Sequence, residues 1–289
     1  MSRFFVYVFG WLFMASMALA DIPEDYYADA IGKDGNALKS ALHTITDGHK
    51  VIPYTQKGNI NWFDGNDIDV WEALVYTDSA CPDTEPSCGL VQLLYLDETR
   101  HVSQANRGKG GNDVWDREHV WPKSRGFPRK SQDGYTDLHH LRPADRNINA
   151  THSNYGYDIG GTIVYDKLKD GTKVATEARI DRKKESFEPP DRAKGQVARM
   201  LFYMAIRYGP DDQAKPEYMP DLYLKDENKR VKDAWIGDLC TLLDWHEQFP
   251  STAFEKRRNN RVMQLQGNRN PFIDKPEFAY LIWKRACQG

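Results

Sequence analysis

The sequence predicts an α+β fold, mostly helices around small sheets, and three observations predict it. Apolar residues recur at helical spacing in several long segments, short β-branched and aromatic runs are bounded by turn residues, and one stretch near the middle reads strand, loop, strand, helix. With 289 residues, 40% of them hydrophobic and 12% aromatic, the chain can bury a substantial core, and a single domain over residues 21–289 is expected. No repeat, low-complexity segment or long Pro/Gly/Ser linker marks an internal boundary.

In chain order, Met1-Ser2-Arg3, the apolar residues 4–20 and the small-residue end Ala18-Leu19-Ala20 have the three parts of an export signal, with cleavage expected after Ala20. The run is short for a bilayer span and leads into Asp21-Ile22-Pro23-Glu24-Asp25 without a stop-transfer pattern, so residues 1–20 are read as a signal peptide and the mature protein as secreted or periplasmic, off the membrane. A helix is expected from Asn36, with Leu38, Ala41, Leu42 and Ile45 on one face and Gly48 as its stop. Residues 90–96 have strand character and precede a glycine-rich loop at 108–111.

Residues 114–121 predict a second strand cut off by Pro122. A polar loop with Gly126, Pro128 and Gly134 leads to a third short strand at 137–141, and Pro143 suits the first turn of a helix running to about Asn154, ended by Gly156. Asp170-Gly171 marks a hairpin turn between Ile163-Val164-Tyr165 and Lys173-Val174-Ala175. Val197, Leu201, Met204, Ala205 and Tyr208 form one helical stripe, and Leu239, Leu242, Leu243 and His246 another; both are expected in the core. Asp274, Pro276 and Glu277 resemble a capping box at the start of the last helix.

The four cysteines fall at 81, 88, 240 and 287, and export makes disulfides permissible. The local pairing Cys81 with Cys88 and Cys240 with Cys287 is the simplest of three connectivities, and the spacing does not suit a zinc ribbon. Net charge is −3, or −4 once Arg3 leaves, so nucleic acid could be gripped only by local patches. Candidate patches are Lys123, Arg125, Arg129 and Lys130, then Arg257, Arg258, Arg261 and Arg269; Arg182-Lys183-Lys184 reads as a solvated face.

The chemistry concentrates in Asp116-Arg117-Glu118-His119 and, thirty positions on, Asn147-Ile148-Asn149. Hydrolysis of a phosphodiester needs a base for water, neutralisation of charge at phosphorus and stabilisation of the leaving oxygen. An imidazole such as His119, with an unperturbed pKa near 6.5, can take the proton, and Glu118 and Asn149 are hard oxygen ligands suited to Mg²⁺. Arg117 can meet phosphate oxygens through its planar fork. Neighbours on a regular strand point to opposite faces, so a bend or bulge at Glu118 and His119 is expected. A zinc site from His139, His140 and His152 lacks an accompanying cysteine or carboxylate cluster, and one of the first two is expected to pack beneath the active site. No His-Glu-x-x-His motif supports a metalloprotease.

Asp116-Arg117-Glu118-His119-Val120-Trp121-Pro122, Asp137-Leu138-His139-His140-Leu141-Arg142-Pro143, Asn149 and Asn154 together resemble the bacterial endonuclease I family of exported nucleases, a branch of the His-Me finger or ββα-metal nucleases. Residues 195–205 and 266–274 carry the same resemblance, which therefore covers nearly all of the mature chain. It implies a ββα-metal core, non-specific endonucleolytic cleavage of DNA, and often RNA, with 5′-phosphate ends, His119 as general base, and Glu118 with Asn149 on one divalent ion, Mg²⁺ first and Ca²⁺ or Mn²⁺ as alternatives. Arg117 matches a phosphate-contacting position of the wider superfamily, Arg125 and Arg129 are taken as substrate contacts, and a monomer is expected. The chain departs from the family pattern at His152, where many relatives have arginine. The competing readings are an exported nucleic-acid-binding protein without turnover and a phosphodiesterase acting on small diesters.

Overall fold

The computed structural model describes residues 22–56, 68–81, 88–108, 110–209 and 219–287, so the expected signal peptide lies outside the described residues. In chain order the elements are α1 (Gly35–Thr46), α2 (Val70–Thr77), β1 (Leu90–Gln92), β2 (Thr99–His101), β3 (Trp115–His119), β4 (Leu141–Asp145), α3 (Arg146–His152), β5 (Gly156–Tyr157), β6 (Thr162–Lys167), β7 (Lys173–Asp181), β8 (Ser186–Glu188), α4 (Asp191–Arg207), β9 (Tyr223–Leu224), β10 (Trp235–Ile236), α5 (Leu239–Gln248), α6 (Ala253–Gln266), α7 (Pro271–Asp274) and α8 (Glu277–Trp283). The mixture is α+β, as the sequence predicts.

The core is built around α4, which is buried at nearly every position from Ala193 to Arg207 and packs on α1, α5 and α7. Both apolar stripes lie there: Val197, Leu201, Met204, Ala205 and Tyr208 are buried, as are Leu239, Leu242, Leu243 and His246. Small sheets flank this helical body. β1 pairs with β2 and β3 with β4, both antiparallel, while β5, β8, β7 and β6 form a four-stranded sheet in that order. Asp170-Gly171 turns the β6–β7 hairpin as expected, with Gly171 at φ 89° and Leu168 N–H donating to Thr172 O at 2.8 Å.

Three local expectations are corrected. The second strand of the central unit is residues 141–145 rather than 137–141: Asp137 to His140 turn instead, because their side chains are drawn into buried polar contacts, and Pro143 falls inside β4 opposite Arg117. The capping box before α8 does not form, since Asp274 is held by Arg269 and by the Tyr27 hydroxyl, leaving Pro276 at the N-cap. The arginines near the C-terminus are not a basic surface. Arg258 is buried on Asp78 and the carbonyls of Leu138 and Leu141, Arg261 donates to Tyr76 O, Arg257 to the carbonyls of Ser79 and Cys81, and Arg269 pairs with Asp274.

Both disulfides follow the local pairing. Cys81 joins Cys88 beside β1, and Cys240 joins Cys287, tying the end of the chain to α5 with about 2–4 kcal/mol of stabilisation.

Candidate active site

The site grows from β3, β4 and α3. Trp115, fully buried against Trp71, anchors the start of β3, and β4 pairs with it in unbroken register from Trp115 opposite Asp145 to His119 opposite Leu141. Asp145 then ends the ribbon and starts the helix: its Oδ1 accepts from Asn147 N–H at 2.7 Å and Ile148 N–H at 3.0 Å, while Oδ2 pairs with Arg100. The expected bulge is absent. Glu118 and His119 sit on consecutive regular positions and emerge on opposite faces of the ribbon, because the strand repeat is two residues.

On one face, Glu118 is 2% exposed. Its Oε1 accepts from Tyr95 OH at 2.9 Å and from His152 Nδ1 at 2.7 Å. Tyr95 OH also lies 2.7 Å from Tyr157 OH, which donates to Val120 O at 3.0 Å. Burial, then the neighbouring Glu118 charge, pushes both phenols well above their usual pKa, so they remain hydrogen-bond donors. Among the described residues no hydrogen bond goes to Glu118 Oε2. Asn149 is half-buried on α3, one turn before His152.

On the other face, His119 is 7% exposed and its Nε2 donates to Tyr135 O at 2.9 Å. That bond fixes the tautomer, since a carbonyl only accepts, and leaves the lone pair on Nδ1. Burial, reinforced by His140 and Lys123, holds the ring well below the usual histidine pKa and therefore neutral. Tyr135, His140 and Tyr54 surround it with ring centroids at 4.8, 5.5 and 5.8 Å. The turn that supplies Tyr135 O is itself pinned. His140 Nε2 donates to Gly134 O at 2.7 Å, and buried Asp137 accepts from Tyr203 and Tyr208 hydroxyls at 2.8 and 2.9 Å and from Gln266 at 3.0 Å.

The structure therefore brings Glu118, His119 and Asn149 onto one short unit. Arg117 joins the His119 face, but its guanidinium is stacked over Tyr54 at 3.4 Å and Trp71 at 4.1 Å and donates to Thr55 Oγ1 at 3.1 Å, partners other than phosphate. Arg129 is exposed on the loop after Pro122. Arg125 is a correction: it is fully buried, its guanidinium donates to the carbonyls of Asn154, Trp235 and Lys229, and no substrate can reach it. The zinc set is also dispersed. His139 turns to Asn268, His140 to Gly134 and His152 to Glu118, each ring with its own partner.

Sequence reasoning missed Tyr95, Tyr157, Tyr135 and Tyr54 and left the role of His152 open. The one available signal was Tyr95 inside the apolar stretch 90–96, where a buried hydroxyl must find a partner.

The chain matches Endonuclease I across residues 34–277 and belongs to that family, which makes it a nucleic-acid hydrolase. It is 42% identical over 263 residues to the extracellular ribonuclease of Bacillus amyloliquefaciens, covering 90% of this chain and 78% of that one. It is 40% identical over 261 residues to the extracellular ribonuclease of Bacillus subtilis (strain 168), with 90% and 78% covered. An extracellular deoxyribonuclease of Aeromonas hydrophila is 30% identical over 142 residues, 48% of this chain and 49% of its own.

Proposed function

We propose that the protein is an exported, divalent-metal-dependent endonuclease of ββα-metal architecture that cuts phosphodiester bonds with little sequence preference and leaves 5′-phosphate ends. The observation that carries this reading is the bond from His119 Nε2 to Tyr135 O, which leaves a neutral ring with its lone pair on Nδ1. RNA is the first substrate to test and DNA the second: the two Bacillus relatives reported above align over 90% of the chain and are named ribonucleases, while relatives named deoxyribonucleases align over about half of it.

In this reading Nδ1 of His119 takes the proton from an attacking water. Glu118 and Asn149 would hold one Mg²⁺, with Ca²⁺ or Mn²⁺ as alternatives, and their chemistry fits: both are hard oxygen donors, and Glu118 keeps Oε2 clear by concentrating its hydrogen bonds on Oε1. When bound, the ion supplies positive charge to the phosphate and the departing oxygen. Because Glu118 and His119 leave β3 on opposite faces, this reading requires the scissile phosphate to lie at the edge of the strand, where it could meet both the base and the ligand pair. Arg117 acts here by holding Tyr54 against His119, and exposed Arg129 is assigned to the polynucleotide backbone.

Replacing His119 by alanine should lower cleavage of RNA and of plasmid in Mg²⁺ by about 10²–10⁴-fold. Undiminished cutting by that variant, or cutting by the native protein in excess EDTA, would remove the base or the metal from the mechanism. Export is supported by the tripartite leader and by the names of the relatives, and mass spectrometry of the mature protein should find Asp21 at its N-terminus.

A further inference from the structure

The β6–β7 hairpin carries a groove of about 540 Å³ against α3, lined by Thr151, Ile163, Tyr165, Ile180, Arg182 and Lys183 among others. Its surroundings are unusually apolar for a surface. Ile163, Tyr165 and Val174 on the hairpin are 37%, 51% and 45% exposed, and Ile159 just before it is 51% exposed, so several of the exposed bulky hydrophobics among the described residues fall on or beside this hairpin. Cations border the same place. Arg182 Nη1 donates to Tyr155 OH at 3.5 Å, and the Arg230 guanidinium stands 4.9 Å over the Tyr155 ring while donating to Ser153 Oγ at 2.9 Å and to Asn154 Oδ1.

This makes a continuous band. It starts at the C-terminal turn of α3, the helix that carries Asn149 and His152, passes over Tyr155 between two arginines, and enters the groove at Arg182 and Lys183. Apolar and aromatic surface interleaved with exposed cations is what a strand with unpaired bases requires: the bases stack and the phosphates are met by positive charge, without a sequence code. A duplex offers no free base faces, so it could use the cations and not Tyr165.

We infer that this groove is an extended subsite for single-stranded polynucleotide, in which Tyr165 and Ile163 receive bases and Arg182 and Lys183 receive phosphates beyond the bond being cut. The inference rests on the nuclease reading above and adds a preference for long, single-stranded substrate. Arg182-Lys183-Lys184, which the sequence presents as a solvated run, is then partly a binding edge.

The test uses the full mature chain with His119→Ala as the binding background, so that affinity is read without turnover. Fluorescence anisotropy with a labelled 12-nucleotide RNA of unpaired sequence is compared with a labelled dinucleotide in Mg²⁺ and in increasing salt. Adding Tyr165→Ala should weaken 12-nucleotide binding about tenfold. Adding Arg182→Ala and Lys183→Ala should reduce the steepness of its salt dependence by about 0.7 for each phosphate no longer neutralised, or about 1.4 for two. The advantage of the 12-mer over the dinucleotide should shrink in both. Unchanged 12-mer affinity and salt slope in both variants would overturn the subsite, as would an equal loss for the two lengths. A change in sedimentation on Tyr165→Ala with no loss of RNA affinity would give the surface to self-association instead. Tyr165, Arg182 and Lys183 are solvent-facing, and a thermal melt verifies that each variant is folded. If the native protein cuts no polynucleotide at all, the nuclease reading fails separately from this one.

Discussion

The two faces of β3 solve opposite electrostatic problems. On the Glu118 side a carboxylate is buried among donors, His152 and Tyr95, which keep it oriented. On the His119 side the buried group is kept uncharged, with a carbonyl fixing its proton and neighbouring His140, Lys123 and Arg117 opposing a second one. Two adjacent residues thus receive contrary treatment across a ribbon one strand thick, and the contrast is what the proposed base and the proposed metal ligand would each need.

The largest break in that comparison comes from removing each centre. Glu118→Ala and His119→Ala should both lose about 10²–10⁴ in kcat, but only Glu118→Ala should weaken Mn²⁺ binding by calorimetry; equal metal affinity in the two variants would erase the proposed division. Acid should next attack the His119 side, where burial lowers the pKa of His139 and of His140 to about 4. With folded values below the ordinary histidine pKa near 6.5, the unfolded chain binds more protons between the two, so stability is complete above about pH 6.5 and drains toward pH 4, by about 3 kcal/mol per ring. Calorimetric melts should fall steeply across that window, and a flat Tm from pH 7 to 4.5 would contradict it.

On the Glu118 side, His152→Ala should cost about 10–100-fold in metal affinity by releasing the carboxylate, with His119 chemistry untouched at saturating metal. A loss of kcat that saturating metal does not restore would assign His152 a different task. The smallest effect belongs to Tyr95→Phe, which deletes one hydroxyl from Glu118 Oε1 and should lower stability by about 0.5–1.5 kcal/mol in denaturant unfolding.

Much of this was legible along the chain. The Asp170-Gly171 hairpin and the helical stripes of α4 and α5 are local or periodic signals that local physics reads, while the Glu-His pair and the asparagine thirty-one positions after Glu118 stand out through the family resemblance. Charge was misread where it mattered. Arg125, Arg258 and Arg269 look on paper like the exposed Arg182, yet each guanidinium is consumed inside the protein, by carbonyls distant in sequence for Arg125 and Arg258, up to Trp235 and Lys229 for Arg125, and by the nearby Asp274 carboxylate for Arg269. The expected bulge at Glu118 is absent because β4 pairs with β3 in unbroken register from Trp115 to His119.

By itself, then, the sequence determined the α+β class and the helical stripes, because these depend on composition, spacing and short-range propensity, while it offered the observed disulfide pairing only as the simplest of three and the candidate residues Glu118, His119 and Asn149 only through a family resemblance. Only the tertiary structure decided that His119 is neutral, that Glu118 is held by His152 and Tyr95, and which arginines face water. Protonation, carboxylate orientation and exposure are set by burial and by partners distant in sequence, and no local pattern encodes which partner arrives.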